Sequence, residues 1–389
     1  MKGCKEIEKK NLFLSLYLLL FLFFFSSCPA ANAHHNPTFG FAGTAGPILT
    51  SPATTIPKGH WGVGIRTEYV NFNEFSNDAL KYFAKKKEFI HSGQYFLSPS
   101  IGAAYGVTDN FTFALRLPYS IQGNITDGLL SKTGMPYLSR LGTSDGLGDI
   151  TFFTQYRFLN LKDKAFEAAL LSGITIPSGL AHVKDKHGDR FGADHQPSKR
   201  AFEPLVGLAL SKRFGHKLSI DSNYLFTKAV RGIQRFYPGD LHNYNVALSY
   251  RFLEQHHHHH QINEITKEGS YEHLHEHQHE HHYAPPIEEY IYEHSHRHKH
   301  KWYSIFGADA VVELNGEWRQ KQEFGTRQPF GFKDENNGGH FLYLSPGLRL
   351  AIGEKWATYV SFGLPVIATP MGKGQRPDFR MIFGVSRSF

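Results

Sequence analysis

Cysteine is almost missing from this chain. Of 389 residues only Cys4 and Cys28 carry a thiol, and both fall inside a stretch that reads as an export signal. Residues 1–33 open with Lys2, Lys5, Lys9 and Lys10, continue through an apolar run over 12–25, and close on the small-x-small pattern Ala31-Asn32-Ala33. A segment of this kind is removed on export. The mature chain is therefore expected to hold no cysteine, which excludes disulfides and thiolate metal sites.

Long apolar runs are scarce as well. The run over 12–25 is shorter than the ~20 residues a membrane helix needs, and no later stretch reaches ~18 uninterrupted apolar residues. A membrane location would have to be reached with strands. Strong charge of one sign is also lacking: the formal net charge is +7, and removing the four lysines and two glutamates of residues 1–33 lowers it to +5. That is too mild to indicate a nucleic-acid partner for an exported protein. The letters of GxSxG fall at Gly142 to Gly146 in an expected long connection, and those of HExxH at His275 to His279 inside the histidine tract, neither with the strand-turn-helix or helix context such motifs need. His60, His91, His182, His187, His195 and His242 fall mostly at expected loops or strand ends, so an enzyme such as a barrel lipase is the least supported class.

Alternation with a period of two fills the space those absences leave. At the C-terminus Phe379, Met381, Phe383, Val385 and Phe389 share one face, and Arg380, Gly384, Ser386 and Ser388 lie on the other. Phe111, Phe113, Leu115, Leu117 and Tyr119 stand opposite Thr112, Ala114 and Arg116. Ile150, Phe152, Tyr156 and Phe158 oppose Thr151, Gln155 and Arg157, and Tyr244, Val246, Leu248, Tyr250 and Phe252 oppose Asn243, Asn245, Ser249 and Arg251. Segments of ~10 residues, apolar on one face and polar on the other, suit a wall with lipid outside and water inside.

Twelve such strands are expected, over 60–71, 92–105, 111–121, 147–158, 164–177, 202–214, 217–230, 240–253, 302–317, 340–352, 356–366 and 378–389. An even count closes an antiparallel barrel and leaves no unpaired edge in lipid. The fold class is thus an all-β transmembrane antiparallel barrel, in the outer membrane of a Gram-negative bacterium with lipid as its first partner. The connections over 106–110, 160–163, 215–216 and 353–355 are tight, while those over 72–91, 122–146, 178–200 and 324–339 are long. In outer-membrane barrels tight turns face the periplasm and long loops the exterior.

The chain divides into residues 1–33, the signal; 34–58, rich in glycine and proline and able to cap or plug the barrel mouth; 59–253, the first part of the barrel; 254–301, an insert; and 302–389, the second part. Fifteen of the 25 histidines lie in the insert. They are His256, His257, His258, His259 and His260, then His273, His275, His277, His279, His281 and His282, then His294, His296, His298 and His300. Strand parity puts the insert on the same side as the tight turns, the periplasmic one. Its His, Glu and Gln cannot bury enough apolar surface to offset ordering entropy, so disorder without metal is expected.

Imidazole is a common ligand for Zn, Ni, Co or Cu, so this density marks a metal-handling segment. Read as helix, His273, His277 and His281 recur at i, i+4; read as strand, His273 to His281 share a face, with Glu272, Glu276 and Glu280 alongside. The spacing is redundant, which fits an exchanging collector better than one fixed centre, and no tightly held cofactor is expected. A solvated polar linker is the plainer reading of the same residues. His34-His35 adds a weak further chelate.

The polar faces supply the barrel interior with Arg66, Glu68, Arg116, Gln155, Arg157, Asp221, Asn223, Asn243, Asn245, Arg251, Asp309, Glu313, Arg349 and Arg380. An open lumen lined by Arg66, Arg116, Arg157, Arg251, Arg349 and Arg380 favours anionic or polar solutes. The alternative is a closed network in which these arginines pair with Glu68, Asp221, Asp309 and Glu313.

Three segments, Tyr105-Gly-Val-Thr-Asp-Asn-Phe-Thr-Phe-Ala-Leu-Arg-Leu-Pro-Tyr119, Gly146-Leu-Gly-Asp-Ile150 and Gly173-Ile-Thr-Ile-Pro-Ser-Gly179, carry a family likeness. With them the chain resembles the outer-membrane transporter family called MetA-pathway of phenol degradation, across most of the barrel and none of the His-rich insert. The resemblance implies a passive barrel for hydrophobic or aromatic compounds. Two functions follow as expectations: an outer-membrane channel whose His-rich segment binds transition metal ions, or a porin for small organic solutes, aromatic or anionic, to which the segment is incidental.

Overall fold

The computed structural model describes residues 47–88, 90–254, 305–323, 338–353, 355–372 and 374–389. The export signal, His34-His35 and the insert histidines His256 to His300 lie outside the described residues.

The alternating segments form strands β1 (Trp61–Phe72), β2 (His91–Ser92), β3 (Tyr95–Thr108), β4 (Phe111–Leu130), β5 (Pro136–Leu147), β6 (Ile150–Leu161) and β7 (Phe166–Ile176). They continue with β8 (Glu203–Phe214), β9 (Leu218–Thr227), β10 (Leu241–Glu254), β11 (Ile305–Arg319), β12 (Gly339–Ile352), β13 (Trp356–Pro370) and β14 (Pro377–Ser388). Pairing is antiparallel throughout, in the order β4-β3-β1-β14-β13-β12-β11-β10-β9-β8-β7-β6. The sheet closes where β6 returns to β4, from Phe111 opposite Tyr156 to Arg116 opposite Thr151. The result is a closed barrel of twelve wall strands. First and last strands are zipped from Gly62 opposite Ser388, and Trp61 and Phe389 exchange backbone hydrogen bonds of 3.2 and 2.8 Å.

β5 and β2 stand outside that count. β4 runs on past the wall, and its outer half pairs with β5 from Tyr119 opposite Leu147 to Leu130 opposite Pro136. The span 122–146, expected as a long loop, is therefore mostly a hairpin. Its backbone N–H and C=O groups reach into solvent and satisfy each other as a ladder rather than leaving it to water. β5 then leads into β6 along the same neighbour across Gly148 and Asp149. Among the described residues β2 pairs only with the outer end of β4, His91 facing Asp127. The 73–94 connection also contains helix α1 (Asn77–Lys85), whose N-cap Ser76 side chain accepts from the Ala79 N–H at 3.2 Å.

Side-chain alternation sorts the residues as a membrane wall requires. Val63, Ile65, Ile101, Phe113, Tyr156, Leu208, Leu248, Phe252, Leu314, Val360 and Phe383 are exposed to the outside. So much contiguous apolar surface is untenable in water and is buried once lipid surrounds it. The inner face is built from small residues: Ala104, Ala114, Ala169, Ala209, Ala247 and Ala357 are all buried.

Turns fix the two ends. At one end β8 and β9 are joined through Gly215, whose φ of +61° lies in the left-handed region that glycine adopts without a Cβ penalty. The tight β3–β4, β6–β7 and β12–β13 connections lie at this end too, as do the last residue of β10 (Glu254) and the first of β11 (Ile305). The long connections β1–β3, β7–β8 and β9–β10 lie at the other.

Candidate functional site in the lumen and its outer vestibule

A segment of the N-terminal stretch occupies the inside of the barrel. The consecutive N–H groups of Ile48, Leu49 and Thr50 all donate to the Glu313 carboxylate, at 3.1, 3.0 and 3.0 Å, and Glu313 on β11 is fully buried. Onward, Ser51 N–H donates to Asn223 Oδ1 (2.9 Å) and Ala53 N–H to Ser211 Oγ (2.8 Å). Ser211 Oγ in turn donates to Asp221. Gln155 Nε2 donates to the carbonyls of Pro52 and Thr54 at 2.9 and 3.0 Å, and Ile56 N–H reaches Thr112 Oγ1 at 2.9 Å.

Apolar contacts follow the same course. Ile48 packs with Val311, Tyr359 and Ile382, whereas Ala53 and Ile56 pack with Ala104, Ala114, Phe153, Ala169, Leu171 and Ala209. These groups lie on strands from opposite sides of the wall, so the segment crosses the lumen. It leaves past β3, where the carbonyl of Pro57 lies so close to Gly106 that an added Cβ would sit 2.0 Å from its oxygen. Alanine on the inner face and glycine at the exit are what leave room for it.

Each of three lumen carboxylates meets two arginines. Glu68 lies 3.4 Å from Arg66 and 4.0 Å from Arg380. Glu167 takes Arg157 at 2.6 Å and Arg213 at 3.0 Å. Asp309 takes Arg251 at 2.7 Å and Arg349 at 3.1 Å. Arg116 joins the first group as a further positive neighbour of Arg66 and Glu68. Arg380 also stacks 4.1 Å from the Tyr343 ring centroid and donates to Asn315 at 2.9 Å. Asp221 and Glu313 are engaged differently: Asp221 accepts from Ser211 and Ser219, and Glu313 holds the N-terminal segment.

At the long-loop end the lumen opens into a cavity of about 490 Å³. Phe72, Tyr95, Phe96, Phe236 and Phe341 contribute aromatic wall; Lys199 and Arg319 contribute positive charge, and Glu317 negative. Burial, and then the nearby Arg319, holds the Lys199 ammonium below the usual lysine range.

On the wall of this vestibule His91, Asp194 and His195 converge. Asp194 Oδ2 is 3.7 Å from His91 Nε2 and 3.5 Å from His195 Nε2, and the two imidazoles meet edge to face with centroids 4.4 Å apart. Burial and then His195 lower the His91 pKa below its ordinary value, while Asp194 and Asp127 pull the other way. Burial works against ionisation of Asp194, but His195, His91 and backbone N–H groups outweigh it and hold its pKa low.

Sequence reasoning did not anticipate Glu167 and Arg213 as partners in the lumen, nor the convergence of His91 with Asp194 and His195. For Glu167 the signal was available in its parity with the buried Ala169 and Leu171. For His91, a hundred residues from its partners, no local signal exists.

No protein-family model matches the chain, and no curated protein matches it by sequence. Solved structures do match by fold. An outer-membrane channel from Pseudomonas putida F1 superposes with a TM-score of 0.50 at 12% identity, covering 88% of this chain and 100% of that one. The toluene transporter TodX from Pseudomonas putida gives a TM-score of 0.37 at 7% identity over 87% and 95% of the two chains. The CymD monoaromatic hydrocarbon channel gives 0.35 at 9% identity over 86% and 89%. The chain is an outer-membrane β-barrel of the architecture seen in bacterial outer-membrane channels.

Proposed function

We propose that this barrel is a channel for small organic solutes, aromatic or anionic, with the N-terminal segment as its internal closure. One observation carries the reading: the aromatic, cation-bearing vestibule leads into a lumen where Glu68, Glu167 and Asp309 each face two arginines. Each triad keeps a net positive charge in a setting where water screens it poorly. An aromatic carboxylate suits both parts, its ring against the vestibule phenyls and its charge on the arginines. The family likeness of residues 105–119, 146–150 and 173–179 points to the same solute class.

Reconstituted in planar bilayers, the channel should favour anions, read as the reversal potential in a salt gradient. Liposome flux of benzoate should exceed that of a cationic aromatic amine of equal size. Cation preference, or equal flux of the two, would sink the reading.

For the His-rich segment we propose transition-metal binding at the periplasmic face. Fifteen imidazoles between 256 and 300 support it, as does the position of Glu254 and Ile305 at the tight-turn end. Deleting residues 255–300 should lower the Zn, Ni, Co or Cu bound per barrel and alter growth under metal excess or scarcity. No change in either measurement removes the metal role and leaves the solute channel untouched.

A further inference from the structure

We propose that His91, Asp194 and His195 form a binding site for a first-row divalent cation, zinc foremost, on the outer vestibule wall. The site is separate from the His-rich segment and does not depend on which solute the lumen passes.

The distances come first. A tetrahedral zinc ion with nitrogen and oxygen ligands at ~2.0–2.2 Å sets neighbouring ligand atoms about 3.4 Å apart. Asp194 Oδ2 stands 3.5 Å from one Nε2 and 3.7 Å from the other, and the three ligand atoms all lie within 4.8 Å of one another. Both histidines therefore point the same ring atom at the same carboxylate oxygen.

The outer hydrogen bonds then fix the ligand form. Gln122 Nε2 donates to the Asp194 carbonyl at 3.3 Å, which orients its amide and leaves Oε1 to accept from His195 Nδ1 at 2.9 Å. With the proton on Nδ1, the lone pair of His195 Nε2 faces the Asp194 oxygen. Two acceptors in that arrangement repel unless a proton or a metal ion lies between them, and 3.5 Å is longer than an ordinary N–H···O bond but close to the ligand spacing around zinc. An amide or carbonyl accepting from the far ring nitrogen is the usual support of a metal-bound histidine.

Local charge points the same way. Asp127, opposite His91 across the β2–β4 ladder, is buried, and its Oδ1 has no hydrogen-bond partner. The charged groups acting on Asp127 are His91, Asp194 and Asp185, none of them a fixed cation. Two imidazoles and two carboxylates thus gather where a divalent ion would balance them. Three protein ligands leave a coordination position facing the cavity, open to water or to a carboxylate solute. The ligands come from different long connections, so the ion would also tie the 73–94 connection to the 177–202 loop at the channel mouth.

The test uses the full chain in detergent and reads each histidine separately, so that the His-rich segment does not mask the result. Diethyl pyrocarbonate labelling, resolved by peptide mass spectrometry, should show that micromolar zinc protects His91 and His195 together. Asp194→Asn should weaken that protection at least ~10-fold, and Gln122→Ala by ~10–100-fold, with segment histidines unaffected and the heat-modifiable gel shift of the barrel retained. Unchanged labelling at both residues while segment histidines are protected overturns the site. So does undiminished protection in Asp194→Asn. Should burial leave both residues unlabelled without zinc, or should the variants misfold, zinc-edge anomalous diffraction from wild-type crystals decides: a peak among the three side chains supports the site, and its absence refutes it.

Discussion

Glu313 shows how much a single buried carboxylate can organise. It sits on the inner face of β11, has no ion-pair partner among the described residues, and accepts three consecutive backbone N–H groups from the N-terminal segment. Hydrogen bonds to a charged group contribute about 1.5–3 kcal/mol each, and a buried donor left unpaired costs about 1–3 kcal/mol. Glu313→Gln keeps the volume but removes the charge and turns one acceptor into a donor facing other donors. The segment should then leave the lumen more often. Single-channel recordings are expected to show a higher open fraction for the variant; identical records would mean that Glu313 does not hold the closure.

The loop over 228–240 is the element whose anchoring can be read by pH. Asp240 is buried there, accepting from Lys228 Nζ (2.8 Å), Ala229 N–H (2.9 Å) and the Tyr237 hydroxyl (2.8 Å). Burial opposes its ionisation, but these donors prevail and its pKa falls below the ordinary value. A depressed carboxylate stabilises the loop above its unfolded pKa, ~3.9, and that contribution is lost as pH falls through the lower folded value. Lys228 has the opposite sense: hydrogen-bonded to Asp240, its pKa is raised. Its contribution is complete below the unfolded lysine value and fades as pH rises through the folded one. Hydrogen-exchange protection of residues 228–240, the rate corrected for the intrinsic pH dependence of amide exchange, should therefore be greatest at intermediate pH and fall towards both extremes. In Asp240→Asn the protection should be low throughout and its acid limb should vanish; an unaltered acid limb would show that another group anchors the loop.

For the molecule as a whole, stability rests on an apolar band facing lipid and a small, hydrogen-bonded interior. Leu208 lies outward near the middle of β8, while its neighbour Ala209 is fully buried inside. Leu208→Arg sets a charge against the hydrocarbon and should cost about 2–4 kcal/mol near the bilayer midplane. Reversible denaturant unfolding in lipid vesicles measures this, and a loss under about 1 kcal/mol would move Leu208 to the interface.

Alternation is local information, since successive side chains on a strand must point to opposite faces whatever the strand's partner. Phe111 to Tyr119 and Tyr244 to Phe252 could thus be sorted into lipid side and lumen side from their order alone. The twelve strands, the closure and the short-turn end followed from repeating that step and from turn length. The pairing of particular charges is another matter. Glu167 meets Arg157 and Arg213, Asp221 turns to serines, and Glu313 serves the N-terminal segment, because the stagger of neighbouring strands and the path of residues 48–57 set those distances. His91 reaches Asp194 and His195 only after β2 docks on β4 and the 177–202 loop folds over the mouth. One-dimensional order carries the period of a strand; which groups on distant strands lie within 4 Å depends on the register of the closed barrel, and that exists only once all the strands have paired.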